Sequence, residues 1–342
     1  MRRLWRIAEE RVTNTQPMAT DQRAFAEALR GARRISALCH ENPDADTIGG
    51  AVAIALIAER LGTPWELVSV DPPAPAFDFL PLYDAFRTAP ALEPDLAVVC
   101  DAATLERVGR VSREHSGWLS SARLVNVDHH VTNSRFGAVN LVDPTAAATC
   151  QVIAAALPAL NIELDTALAT ALLTGIVRDS GGYADPSTSG ETLRISADLV
   201  DAGAPIALIN RRVLADLPYP TLALWGRLLN GMGQRRDGRI IYTTLTPDML
   251  ESTGTENHDA DGLAEFIAKA KNADISILAR ASGPTETRVS LRVSEAVDAT
   301  EIAREFGGGG HARRAGCTIA APADTAVEQL LDVCERVLGA DS

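Results

Sequence analysis

Four short clusters in the chain combine histidine and carboxylate side chains in a way that could hold divalent cations. They are His40-Glu41-Asn42-Pro43-Asp44-Ala45-Asp46, Cys100-Asp101, Asp128-His129-His130 and Arg178-Asp179-Ser180-Gly181-Gly182. Donors from so many separate segments exceed what one cation needs and suit two. Oxygen and imidazole donors without a thiolate favour Mn²⁺ or Mg²⁺ over a structural zinc. Two such ions about 3.5–4 Å apart are a device for attacking phosphate esters. Pro43 fixes the backbone before Asp44, and the alternate spacing of Asp44 and Asp46 lets them face neighbouring ions. Only six histidines occur in the chain, and two of them stand adjacent after Leu124-Val125-Asn126-Val127, where burial without partners is costly.

The elements that must position these groups alternate through the first two-thirds of the chain. Apolar runs at Ile35–Cys39, Trp65–Val70, Leu96–Cys100, Leu124–Val127 and Ala138–Val142 read as strands. Helical periodicity marks Thr47–Leu61, Ala146–Leu157, Asp165–Val177, Ser189–Ala202 and Ile206–Val213. Such alternation predicts an α/β fold with a largely parallel sheet flanked by helices. Ligands in these sheets bind beyond the carboxyl ends of the strands, where His40, Asp101 and Asp128 fall. After about residue 220 the pattern changes. Strands at Gly238–Leu245, Ala273–Ala281 and Thr287–Val293, with helices at Asp261–Lys271 and Ala326–Leu338, predict a smaller α+β domain. The expected division is an N-terminal extension over 1–20, a catalytic metal-binding domain over 21–215, a linker helix over 216–230 and a substrate-binding domain over 231–342. Met18 is a second candidate start, which would make residues 1–17 an unstructured extension.

Composition narrows the class. With 342 residues, 46% hydrophobic and 23% charged, the chain has the make-up of a folded two-domain protein. No run of eighteen apolar residues occurs and no export signal is read at Met1–Glu10, so the expectation is a cytoplasmic protein that does not enter membranes. Five cysteines without a Cys-x-x-Cys pair do not form a disulfide framework. The net charge of −13 argues against tracking long nucleic acid, which usually needs a basic face; the basic patches at Arg33–Arg34, Arg211–Arg212, Arg235–Arg236 and Arg313–Arg314 are local. A nucleotide substrate should therefore be short.

Together, His-x-Asn-Pro-Asp-x-Asp, the strand-end Asp101, Asp-His-His and Asp-Ser-Gly-Gly resemble the four motifs of the DHH phosphoesterase superfamily. Gly307-Gly308-Gly309-Gly310-His311, followed by Ala315-Gly316, resembles the signature of its DHHA1 subfamily. The likeness runs from about Ser36 to Cys317, and the compact length is similar to the nanoRNase/oligoribonuclease branch, whose members also hydrolyse 3′-phosphoadenosine 5′-phosphate (pAp). The resemblance implies two Mn²⁺ ions, one held by His40 and Asp44, the other by Asp46, His129 and Asp179, with Asp101 bridging both. Asp128 would orient a ligand histidine, and His130 would contact the phosphate or give a proton to the leaving oxygen. Gly308, Gly309 and Gly310, with His311, Arg313 and Arg314, would hold substrate phosphate in the DHHA1 domain across an active-site cleft; Arg292 and Asn133 would be further substrate contacts. Two departures stand out: Tyr183-Ala184-Asp185 lacks the basic residue that many relatives have near position 184, and Arg314 replaces a commonly small or apolar residue.

The expected activity is Mn-dependent degradation of short single-stranded oligonucleotides to 5′-mononucleotides, with dephosphorylation of pAp to AMP. The alternatives are a phosphodiesterase for cyclic-di-AMP or pApA, and a single-strand exonuclease of the RecJ kind. An inorganic pyrophosphatase and a non-catalytic nucleotide sensor fit the motifs less well. A homodimer is an expectation from the branch alone, with no residue pointing to it.

Overall fold

The computed structural model describes residues 15–91 and 95–339. They form two compact units divided between Asp216 and Leu217. The first contains α1 (Thr15–Gly31), β1 (Ile35–Leu38), α2 (Ala45–Arg60), β2 (Trp65–Val68), β3 (Phe86–Arg87), β4 (Leu96–Cys100), α3 (Arg110–Glu114), α4 (Ser116–Ser121), β5 (Arg123–Asp128), β6 (Val139–Val142), α5 (Thr149–Leu160), α6 (Thr166–Asp179), α7 (Gly190–Asp201) and α8 (Ile206–Asn210). Its sheet has the order β3-β2-β1-β4-β5-β6 with every pair parallel. All residues of β1 and β4 are buried, which is why β4 reads as an unbroken apolar run and β1 as one broken only by Ser36, whose hydroxyl donates to Glu66 at 2.6 Å. Helix α1 begins inside the stretch read as an extension and buries Phe25 and Leu29 in the core; residues 1–14, and most of that extension, lie outside the described residues.

Helix α2 starts because Asp44 caps it, its carboxylate accepting from the N–H groups of Asp46 and Thr47. It is apolar on nearly all sides because the sheet and α6 both cover it. Glycine sets how closely α2 and α6 cross. A Cβ on Gly49 would lie 2.4 Å from the Ala171 carbonyl oxygen, and one on Gly175 would lie 2.4 Å from Asp46 Oδ1.

The second unit contains α9 (Tyr219–Asn230), β7 (Gly233–Arg235), β8 (Ile240–Leu245), α10 (Pro247–Thr253), α11 (Leu263–Ile267), β9 (Ile275–Ala281), β10 (Thr287–Val293), α12 (Ala299–Arg304), β11 (Gly309–His311), β12 (Arg314–Ile319) and α13 (Ala323–Gly339). Its sheet runs β11-β12-β10-β9-β8-β7, antiparallel except for β8 with β9. One face packs Val289, Leu291, Cys317 and Ile319 in a core with Ile302, Leu330 and Cys334. On the other, Ile241 and Leu278 pack with Leu224 and Leu228 of α9 and Leu263 and Ile267 of α11. The stretch read as a linker helix thus packs as part of this unit's core. Helix α11 starts later than the Asp261–Lys271 expectation because Gly262, at φ +85°, turns the chain just before it, and it ends earlier, at Ile267, where turns follow. Among the described residues no helix is long and apolar enough to cross a membrane.

Candidate metal centre

Strands β1, β4 and β5 are neighbours in the first sheet, and each delivers a group at its carboxyl end. His40 follows β1, Asp101 follows β4, and Asp128 closes β5 with His129 and His130 directly after it. Asp44 and Asp46 come from the start of α2, and Asp179 from the last residue of α6. Asp101 sits at φ +60°, a left-handed conformation that a short polar side chain tolerates and that recurs at functional sites.

The six expected ligands come together in two groups: His40 with Asp44 and Asp101, and Asp46 with His129 and Asp179. Within each group the donor atoms lie within 4.8 Å of one another. Asp101 faces both. Its Oδ2 is 3.4 Å from His40 Nε2, and its Oδ1 is 3.6 Å from His129 Nε2. His40 Nε2 is also 3.7 Å from Asp44, and His129 Nε2 is 3.2 Å from Asp179.

Whether these residues suit cations can be decided from the far side of each ring. His40 Nδ1 lies 2.8 Å from the Glu41 carbonyl oxygen, and His129 Nδ1 lies 3.3 Å from that of Ala146. A carbonyl only accepts, so Nδ1 carries the hydrogen and the lone pair of each neutral ring sits on Nε2. That lone pair faces carboxylate oxygens. The contact is repulsive unless a proton or a metal ion lies between them, and a carbonyl-oriented imidazole is the usual arrangement of a metal ligand. The donor set fits divalent cations.

The electrostatics agree. Burial disfavours charge on His40, but its hydrogen bonds to Asp101 and Asp44 outweigh this and push it up to about 10. Burial likewise opposes charge on His129, and the carboxylates of Asp179, Asp46 and Asp101 raise it to about 10. Burial pushes Asp46 well above the usual carboxylate range, and the charges of Asp179 and Asp101 add to this; Asp179 is raised chiefly by burial too. The pocket therefore holds more negative charge than its histidines balance. Asp46 is steadied by the first N–H groups of α5: Thr149 N at 2.6 Å and Cys150 N at 2.9 Å donate to its two oxygens.

His130 Nδ1 donates to Asp128 Oδ1 at 2.7 Å and lies 3.6 Å from Asp101. The Asp128 hydrogen bond raises the imidazole, while Asp128, despite burial, is held below the ordinary carboxylate range by its bonds from His130 and Asn133. The Asn133 amide donates to Asp128, Asn126 and the Ala102 carbonyl, so this expected substrate contact braces Asp128.

In the second unit the glycine run forms β11, a hairpin partner of β12. A Cβ on Gly308 would lie 2.2 Å from the Gly316 carbonyl oxygen, and Gly310, at φ +147°, would meet that of Arg314 at 2.5 Å. These glycines are needed for strand approach; Gly309 faces open space. His311 and Arg314 are exposed cross-strand partners, and Arg314 pairs in register with Arg292. The guanidinium of Arg292 is bound by Glu265, and that of Arg313 donates to the carbonyls of Ser294 and Val297. Sequence reasoning missed Thr149, whose hydroxyl donates to Asp101 Oδ1 at 3.0 Å, and Gly175 against Asp46. Both contacts are long-range and leave no spacing signal.

Comparison with known proteins bears on this geometry. Residues 34–176 match the DHH family N-terminal domain and residues 237–340 the DHHA1 domain. A bifunctional oligoribonuclease and PAP phosphatase, NrnA of Thermus thermophilus, is 31% identical over 320 residues, covering 92% of this chain and 94% of its own. The protein of the same name from Bacillus subtilis is 24% identical, covering 87% and 93%. A crystal structure of an exopolyphosphatase-related protein from Bacteroides fragilis superposes with a TM-score of 0.84 at 20% identity, over 93% of this chain and 96% of that one, a likeness of fold. The chain belongs to the DHH phosphoesterase family, as a phosphoester hydrolase whose DHH domain is followed by a DHHA1 domain.

Proposed function

We propose that the chain is a Mn²⁺-dependent phosphodiesterase that degrades short oligonucleotides to 5′-mononucleotides and dephosphorylates pAp to AMP. One observation carries this reading: the two oxygens of Asp101 divide between the two histidine–carboxylate groups, Oδ2 toward His40 and Oδ1 toward His129. Divalent cations bound in the two groups would supply charge neutralisation and would acidify a water at neutral pH. His40, Asp44, Asp46, His129 and Asp179 would hold them, with Asp101 shared. His130, oriented through Nδ1 by Asp128, keeps its proton more readily than a free imidazole and gives it to the leaving oxygen. Asn133 locks Asp128 in position for that task. In the DHHA1 domain the N–H groups around Gly309, with His311 and Arg314, take up substrate phosphate. The net charge of −13 favours short substrates over long ones.

The test compares turnover of a dinucleotide, a 24-mer and pAp with Mn²⁺ in purified protein. Rapid hydrolysis of the dinucleotide and pAp is expected, and hydrolysis of the 24-mer alone would overturn the proposal. Asp101→Ala should abolish turnover; activity persisting with both metals bound would remove the bridging role.

A further inference from the structure

The DHHA1 sheet carries a groove that starts at the glycine run, at Gly307 and Gly308, and continues along β10 and β12 onto residues the proposed reaction does not use. On the face opposite the α12–α13 core, β9, β10 and β12 align three rows of side chains. Arg280, Arg288 and Thr318 form one row, Leu278, Ser290 and Gly316 the next, and Ser276, Arg292 and Arg314 the third. An open groove of about 690 Å³ is lined by the first row and by Ser290 and Gly316 of the second, with His258, Phe306, Gly307 and Gly308 beside them; Leu278 lies under α9 and α11. Its floor is low because Gly316 has no side chain and Ser290 a short one.

The groups facing this space are anion-binding in balance. Arg280 donates to Ser290 Oγ at 2.8 Å and pairs with Asp261 at 2.9 Å, so it is held in place at the groove wall. Ser290 accepts that bond and keeps its own O–H to donate. Arg288 is largely exposed, its nearest carboxylate, Glu286, 3.9 Å away and weakly engaged. His258 lies against Glu256 and Asp259. Two guanidinium groups therefore face one firmly paired carboxylate, Asp261, beside two hydroxyls and the half-buried ring of Phe306. A basic groove with a neighbouring aromatic surface is how proteins hold single-stranded nucleic acid without reading its sequence. Arg288 and Arg292 are four residue steps apart on β10, about 13 Å at 3.3–3.4 Å per residue, so the first row is a station distinct from the His311–Arg314–Arg292 row.

We propose that this groove is a second phosphate subsite, in which Arg288, with Thr318, Ser290 and Arg280, grips a single-stranded oligonucleotide beyond the nucleotides at its reacting end. The inference rests on the proposed oligonucleotide substrate. It makes a length-dependent prediction that the metal centre alone does not.

The experiment measures kcat and KM of the full-length wild type, Arg288→Glu and Arg288→Lys on pAp, a dinucleotide and a pentanucleotide. Arg288→Glu should raise KM for the pentanucleotide about tenfold, the loss of a charged phosphate hydrogen bond. It should leave pAp kinetics unchanged, and Arg288→Lys should recover most of the loss. The salt dependence of pentanucleotide binding should weaken by about 0.7 in log–log slope per phosphate contact removed. Equal losses on pAp and the pentanucleotide, or none on either, would overturn the subsite. Should Arg288→Glu prove misfolded by its thermal melt, Thr318→Val replaces it with the same length pattern expected. If the wild type turns over none of the three, the proposed activity fails by itself. Fluorescence anisotropy of a labelled pentanucleotide in EDTA then decides the groove, which stands if Arg288→Glu weakens binding and falls if it does not.

Discussion

Gly175→Ala is the smallest change that reaches the metal centre from outside it. The new Cβ would lie 2.4 Å from Asp46 Oδ1, 2.4 Å from Cys150 Sγ and 3.0 Å from the Asp46 Cα, all buried and bounded by the α2–α6 crossing. Alanine in a helix interior gains about 1 kcal/mol over glycine. Overpacking of a tight core costs about 1–3 kcal/mol, so the net effect on folding is at most about 2 kcal/mol of destabilisation. The larger effect falls on Asp46. Its carboxylate cannot retreat while Thr149 N and Cys150 N hold it at 2.6 and 2.9 Å, so relieving the clash breaks charge-assisted bonds. Disturbing the support of a metal ligand typically lowers affinity 10–100-fold, roughly 1.4–2.8 kcal/mol. Urea unfolding of the metal-free chain and calorimetric Mn²⁺ titration separate the two terms. A modest stability loss with one of two Mn²⁺ sites weakened is expected; unchanged Mn²⁺ affinity would refute the reasoning.

Other perturbations test other parts of the molecule. Among the described residues the buried Tyr183 hydroxyl has no hydrogen-bond partner, so Tyr183→Phe should stabilise by about 1 kcal/mol and raise Tm by roughly 2–4 °C in a thermal scan. Glu265 binds Arg292, so Glu265→Gln should free that guanidinium and lower KM for an oligonucleotide about two- to fivefold in steady-state kinetics. Asp274, despite some burial, is held below the ordinary carboxylate range by Arg239 and Ser294. Its contribution is present above the unfolded value near 3.8 and lost as pH falls through the lower folded one, so Asp274→Asn should flatten the acid limb of a melting profile below about pH 4.

The candidate metal centre could be read in the sequence because its residues fall in short clusters at the ends of elements, His40 and Asp101 after strands, Asp44 and Asp46 at the start of α2 and Asp179 at the end of α6. Burial on both faces made β4 a continuous apolar run and β1 nearly one, so their ends, and hence His40 and Asp101, could be located without the structure. β12 does not read as a strand because its apolar positions, Ala315, Cys317 and Ile319, are few and small and alternate with Arg314, Gly316 and Thr318; the adjacent glycines read as a phosphate contact, and strand approach requires Gly308 and Gly310 as well. The engagement of Arg292 by Glu265, of Arg313 by two carbonyls and of Asn133 by Asp128 depends on residues distant in the chain or on backbone geometry. No local pattern encodes such pairs. Helix α1 escaped notice because it lies beside a basic, polar start that reads as a tail.

Anomalous diffraction from crystals soaked in Mn²⁺ tests the central claim most directly. Two peaks about 3.5–4 Å apart are predicted, one beside His40 and Asp44, the other beside Asp46, His129 and Asp179, with Asp101 between them. A single peak, or peaks remote from these side chains, would contradict the account.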